Sequence, residues 1–333
     1  MAITQDELCN KINKKIKEKN AHQIASLLRI NSKKHKEKIQ NIDYKKIREP
    51  FDQILGKFYL DDYASLVLVL DDFDDKSYWM TPVYRKVVIA LYYLSLKEKR
   101  EEEYSKVLIN IFRINQKCTD KRFILTIVII LLNIYFNKKK MTLFDNLISV
   151  IEPPDFISKE SLIFYYFAGI NSLINENFVK GNEYLKKAFK HKFINKEAAL
   201  PYVISILLLN KRINGSFLKK YNINYNFILN ICRGKYNLNE LPNELLHDLN
   251  LTRICLVHFP NINLRHLVYN VYKKACVNHR LNISYLKIIK KCNDDEIYAS
   301  IIKLIGLGYL KGYLSMNFEL LVLSKVDPFP KLK

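Results

Sequence analysis

Residues 293–325 read NDDEIYASIIKLIGLGYLKGYLSMNFELLVLSK, and their order decides the fold. Asn293 is a helix-capping residue, and Glu296 follows three positions later in the spacing of a capping box, so a helix starts there. Ile297, Ile301, Leu304 and Ile305 fall on one helical face, with Ser300 and Lys303 off it. Gly306 or Gly308 stops the helix, because glycine takes a positive φ without a Cβ clash. Beyond it, two short Tyr-, Leu- and Val-rich segments flank Ser315-Met316-Asn317 and predict a β-hairpin. Working back toward the amino terminus, the apolar spacing predicts helices over 244–258, 264–277 and 283–291. Helices followed by a terminal hairpin make a winged helix.

The rest of the chain has only 8 Gly and 9 Pro in 333 residues, too few to punctuate many short strands. Its periodicity predicts helices over 82–96, 101–115, 121–136, 141–151, 158–175, 178–191, 196–209 and 216–232. Short two-sided apolar helices bury themselves best as stacked hairpins, so a degenerate, tetratricopeptide-like array is expected. The fold class is therefore all-α, with residues 1–245 forming the array and 246–333 a winged-helix subdomain. The longest apolar run, Phe123 to Phe136, has about 14 residues against the roughly 20 of a membrane-spanning helix, so it is expected in a core, without membrane insertion. Met1–Asn10 carries Asp6 and Glu7 and lacks the pattern of a secretory signal. Six scattered cysteines without a C-x-x-C pair fit a reducing compartment.

A net charge of +21 invites an anionic partner. Lys, Asn, Ile and Tyr are abundant while Arg is scarce, which an AT-rich genome produces whatever the function, so charge alone assigns no partner. The basic segments KINKKIKEKN and NSKKHKEKIQ retain a helical apolar spacing through Ile12, Ile16, Ile24, Leu27 and Leu28 and read as solvated helical faces. Asp61, Asp62, Asp71, Asp72, Asp74 and Asp75 lack the turn glycine that gathers carboxylates round a cation, which argues against a metal site.

Catalytic constellations are missing as well. Gly306-Leu307-Gly308 follows a helix rather than a strand, and Lys311 stands where a dinucleotide loop has its third glycine. Gly234-Lys235 lacks the rest of a phosphate loop, and no H-E-x-x-H or H-x-H pair occurs. His258 and His266 read as core or capping residues. No catalytic residue, cofactor or metal is expected.

The closing segments Lys311-Gly312-Tyr313-Leu314, Leu321 to Lys325 and Asp327-Pro328-Phe329-Pro330 resemble the end of the PCI-domain family, in the branch called the Thp-one type. So do Tyr165, Tyr166, Gly169, Phe178, Glu183-Tyr184-Leu185, Ala188-Phe189, His191 and Leu218 to Tyr221, which places a PCI module at roughly 160–333. Gly181 departs from the usual alanine, and the stretch from Lys235 to Asn243 is short and carries Pro242. The resemblance implies a non-enzymatic subunit of a nuclear-pore-associated transcription-export complex for messenger RNA. Its partners there would be a large Sac-three/GANP-type scaffold, a small acidic Sem-one/DSS-type protein, and RNA, with DNA as a second possibility. By position, Lys287, Lys290, Lys291, Lys303 and Lys311 would supply phosphate contacts. The alternative is a PCI scaffold in a proteasome-lid or COP9-signalosome-type assembly with protein contacts only.

Overall fold

The computed structural model describes residues 5–26, 28, 44–49, 51–59, 62–71, 79–115, 120–190, 195–211, 213, 215–220, 226–236, 241 and 243–330. The chain divides into two compact units, residues 1–152 and 153–333. Residue 246, the expected start of the winged-helix subdomain, falls inside the second unit. NSKKHKEKIQ, Leu27, Asp61, Asp72, Asp74, Asp75, Cys118, His191, Tyr221 and Pro242 lie outside the described residues.

The first unit contains α1 (Gln5–Lys17), α2 (Ala21–Ala25), α3 (Phe51–Tyr59), α4 (Tyr63–Asp71), α5 (Thr81–Glu98), α6 (Glu101–Ile114), α7 (Lys121–Asn137) and α8 (Met141–Val150). From α3 onward each helix packs against the next, and α5 also packs against α7, as in stacked hairpins. The apolar run of 123–136 is α7, the heart of this unit. Asp120 starts it by accepting the N–H groups of Arg122 and Phe123 at 3.0 and 3.2 Å, while its other oxygen takes the Thr81 hydroxyl at 2.6 Å. Phe123, Ile127, Val128, Leu131 and Leu132 are fully enclosed, each worth about 1.5–3 kcal/mol of burial. Tyr104 of α6 is equally enclosed, with its hydroxyl donating to the Val88 carbonyl at 2.6 Å. Asp62 caps α4 by accepting the Ser65 N–H, and the Ser65 hydroxyl, seconded by that N–H, holds its carboxyl below the usual range.

The second unit opens with α9 (Lys159–Ile174), α10 (Phe178–Phe189) and α11 (Asn195–Leu208), packed in succession. Ser158 and Ser161 form a reciprocal capping box at the start of α9. Gly169 and Gly181 sit at the α9–α10 crossing. A Cβ on Gly169 would lie 2.5 Å from Leu185 Cγ, and one on Gly181 would lie 3.2 Å from the Gly169 carbonyl oxygen. The helix axes approach this closely because neither residue has a side chain.

One device closes most of the turns. Lys99, Lys139, Glu176, Asn210, Gly234, Asn250 and Gly308 all have φ between 55° and 74°. In each case the following N–H reaches the carbonyl five residues back: Arg100 to Ser95, Lys140 to Tyr135, Asn177 to Ser172, Lys211 to Ile206, Lys235 to Asn230, Leu251 to Leu246 and Tyr309 to Leu304. This is the main-chain signature of a Schellman-type helix end, and most of these turns make it without glycine.

The chain continues through α12 (Gly215–Lys220), α13 (Asn226–Arg233), α14 (Asn243–Asp248) and α15 (Thr252–Ala275). Two expectations need correction. The helix expected over 216–232 appears as α12 and α13. The helices expected over 244–258 and 264–277 are the short α14 and a continuous α15 that runs through Pro260. The proline ring leaves the Leu256 carbonyl without its helical partner, at a residue that is itself exposed. Meanwhile Cys255, Phe259 and Ile262 are fully buried, and this packing holds the helix together.

Alpha-13 is seated on α15 by its own carboxy-terminal end. The Ile231 carbonyl lies 3.2 Å from His266 Nδ1, and the Arg233 carbonyl accepts from Asn270 at 3.1 Å. At Gly234 a Cβ would stand 2.7 Å from Leu267 Cα, so only glycine fits between the two helices.

Candidate nucleic-acid interface

After α15 come β1 (Arg280–Asn282), α16 (Ser284–Lys290), α17 (Asp294–Gly306), β2 (Gly312–Ser315) and β3 (Leu320–Leu323). The strands form an antiparallel sheet in the order β1-β3-β2, with Leu281 opposite Leu321 and Tyr313 opposite Val322. The winged helix is present, with one strand more than the expected hairpin. Asn278 and His279, both at positive φ, make a two-residue turn in which Val277 and Arg280 exchange two hydrogen bonds, and this turn launches β1.

Alpha-17 begins where expected, with Asn293 accepting the Glu296 N–H at 2.8 Å, and ends in the Gly308 turn. Gly312 lets β2 pair closely beside β3, since a Cβ there would collide with the Val322 carbonyl oxygen.

The five candidate lysines occupy different environments. Lys287 is engaged internally: its Nζ lies 2.7 Å from Asp294, 3.4 Å from Glu319, and 5.3 Å from the centre of the Tyr298 ring. The Asp294 carboxylate, seconded by Glu319, raises its pKa above the ordinary lysine value. The ammonium thus joins α16 to the start of α17 and to the hairpin turn. Lys290 and Lys291 are exposed at the end of α16, where Lys291 takes φ 53° and donates its N–H to the Lys287 carbonyl. Lys303 is exposed in the last turn of α17, about 14 Å along the helix from Asp294. Lys311 is exposed before β2, with its N–H donated to the Pro328 carbonyl and its own carbonyl accepting from Ser324. The lysines therefore fall into two groups at opposite ends of α17.

Beside Lys290 and Lys291, Tyr285, Ile288 and Ile289 are 47%, 73% and 53% exposed, an i, i+3, i+4 apolar stripe on a helix whose Leu286 is fully buried. Met316 and Phe318 project from the hairpin turn in the same way. This domain presents apolar and cationic groups side by side.

Sequence reasoning missed the residue that fastens the carboxy-terminal segment. Arg265 of α15, only 5% exposed, donates to the carbonyls of Phe329 (2.8 Å), Pro330 (3.2 Å), Tyr309 (3.3 Å) and Asn210 (3.3 Å). Phe329 in turn meets Tyr269 and Tyr272 edge-on at 5.1 and 5.4 Å. Nearby, His258 Nδ1 lies 3.1 Å from the Tyr309 hydroxyl, and its Nε2 is buried without a hydrogen-bond partner among the described residues. Burial lowers the His258 pKa and pushes the Tyr309 phenol up to about 12. Of the two histidines singled out in the sequence, His266 is fully buried and His258 half-buried. Among the described residues no helix is long and apolar enough to cross a membrane.

A helical array followed by a three-stranded winged helix is consistent with the PCI fold. Known proteins agree. PCI domain-containing protein 2 from Xenopus laevis is 28% identical over 257 residues, covering 69% of this chain and 64% of its own length. The Drosophila melanogaster homolog of that protein is 26% identical over 306 residues, covering 81% of this chain and 77% of its own. Protein CSN12 homolog from Schizosaccharomyces pombe is 29% identical over 203 residues, 55% of this chain and 48% of its own. The chain thus matches less than two thirds of the Xenopus relative. No family model matches. The chain is similar to PCI domain-containing protein 2, and the first two matches cover more of it than residues 160–333 alone.

Proposed function

We propose that this PCI scaffold is a non-enzymatic subunit of a nuclear messenger-RNA export complex at the nuclear pore. It binds a large Sac-three/GANP-type scaffold and a small acidic Sem-one/DSS-type protein, and its winged helix adds to a basic surface for RNA or DNA. The observation that carries this reading is the α16 surface. An uncovered apolar stripe of Tyr285, Ile288 and Ile289 suits a protein partner, and the neighbouring Lys290 and Lys291 suit phosphate. Lys303 and Lys311 extend the cationic surface at the far end of α17. Lys287 contributes by holding the hairpin turn in place.

The second reading, a proteasome-lid or COP9-signalosome-type scaffold with protein contacts only, draws support from the neutralisation of Lys287 by Asp294 and Glu319. Affinity purification of the tagged full chain from its own cells, followed by mass spectrometry, separates the two. A large Sac-three-type scaffold with a small acidic protein supports the first; lid or signalosome subunits in their place overturn it. Charge reversal at Lys290 and Lys291 should weaken RNA binding without unfolding, and undiminished binding would remove those residues from the interface.

A further inference from the structure

Helix α10 carries a second cationic surface, built on residues other than the winged-helix lysines. Lys180, Tyr184 and Lys187 follow one another at i, i+4 and i+7 along one stripe, and Lys190 continues it beyond the helix end. Lys180 Nζ stands 5.7 Å from the centre of the Tyr184 ring. Lys187 Nζ stands 4.6 Å from the Tyr165 ring of α9 and 6.0 Å from Tyr184, and the two tyrosine rings are 5.7 Å apart. The Tyr165 hydroxyl donates to the Pro154 carbonyl at 2.5 Å, which fixes the base of this stack.

The lysines here differ from those elsewhere in the molecule. Lys138 and Lys140 sit on Glu101 and Glu102, and Lys287 on two carboxylates. Glu183, the one carboxylate of α10, lies three residues from Lys180 and four from Lys187. Yet among the described residues neither lysine makes an ion pair, and both rest over tyrosine faces. A cation over an aromatic ring at an exposed site is held by only about 0.5–1 kcal/mol, so it is free to swing toward an anion. When Lys180 and Lys187 swing away, the half-buried Tyr184 ring is uncovered between them. Alternating ammonium groups and an aromatic face are what a single strand needs: phosphates on the cations and a base on the ring.

We propose that the Lys180, Tyr184, Lys187 and Lys190 ledge binds single-stranded RNA. The site does not rest on the winged-helix platform. The test uses the full chain with a fluorescein-labelled 15-nucleotide oligouridylate, read by anisotropy across a salt series, with ultraviolet cross-linking and peptide mass spectrometry on the same complex. Lys180→Gln with Lys187→Gln should lower the slope of log K against log salt by about 1.4, the loss of two phosphate contacts to a single strand. Tyr184→Ala should weaken binding about tenfold. Tyr184→Phe, which keeps the ring, should retain it. Cross-linked uridine is expected on the peptide containing Tyr184, and it should persist when Lys290 and Lys291 are reversed in charge. Cross-links confined to residues 287–311, with an unchanged slope in the α10 variant, would overturn the ledge and leave the winged-helix surface standing. Absence of binding by the unaltered chain would overturn both.

Discussion

Replacing Arg265 with methionine isolates what its guanidinium does, because the methionine stem keeps most of the packing in α15 while every donor is removed. Two of the four bonds, at 2.8 and 3.2 Å to Phe329 and Pro330, have good length, and two at 3.3 Å are marginal. A hydrogen bond from a charged donor is worth about 1.5–3 kcal/mol net, so the two good bonds alone come to about 3 kcal/mol. Exchanging a buried charge for an apolar group is often harmless when both partners go together. Here the acceptors are main-chain carbonyls that no side-chain substitution removes, so the loss is not offset. The local reporter is the Lys311 amide, which donates to the Pro328 carbonyl within the segment that Arg265 holds. In Arg265→Met its hydrogen exchange should speed up on the order of a hundredfold, the equivalent of about 3 kcal/mol at 1.4 kcal/mol per tenfold. Arg265→Lys should fall between, since one ammonium cannot span carbonyls on three segments. An unchanged Lys311 exchange rate in the methionine variant, with the variant folded, would refute the argument that the guanidinium fastens the tail.

Three further outcomes are expected. Gly169→Ala should destabilise the second unit by about 1–2 kcal/mol, since its Cβ would press on Leu185 Cγ at 2.5 Å and on the Leu185 amide nitrogen at 3.2 Å. Gly181→Ala should cost less than Gly169→Ala, because its closest contact is the movable Leu173 Cδ2 at 2.8 Å rather than a Cγ at 2.5 Å, leaving only the 3.2 Å approach to the Gly169 carbonyl oxygen to be relieved; equal urea midpoints for the two variants would contradict this. For His258, burial lowers the folded-state pKa below the ordinary 6.5, so the unfolded chain takes up its proton first as pH falls. The stability due to the neutral ring is complete above pH 6.5 and is lost as the pH drops toward the folded value, against a weaker opposing pull from Glu176. His258→Gln should flatten unfolding free energy measured between pH 7.5 and 5.5, and an equally steep decline in the variant would assign the dependence elsewhere.

What could be read from the sequence was what local chemistry decides. Apolar spacing located α5 through α11 within a few residues. Asn293 marked the start of α17, and Gly306 and Gly308 marked its end, the helix stopping at the first and the second taking the positive φ of the turn. The failures have a common cause in tertiary contact. Strand β1 is three residues long and is held by pairing with β3, about 40 residues later, so its own alternation is too short to detect. Pro260 signals a break, but the burial of Phe259 and Ile262 on the same helix overrides it. The Arg265 acceptors are main-chain oxygens 44 to 65 residues away, and a carbonyl leaves no mark in the sequence. Lys287 lies off the apolar stripe in the sequence, yet it is not a free cation, because Asp294 and, more weakly, Glu319 reach it only once α17 and the hairpin have folded back onto α16.

The helix ends carry a consequence for how such a chain tolerates change. At Lys99, Lys139, Glu176, Asn210 and Asn250 the turn is closed by backbone atoms, while the residue at the apex takes a left-handed conformation that costs a non-glycine residue about 1–2 kcal/mol. Each apex therefore holds a small unspent reserve of stability, released by a single change to glycine. A chain with several such positions can absorb destabilising substitutions in its helices and recover elsewhere, one turn at a time, without altering the path of the array.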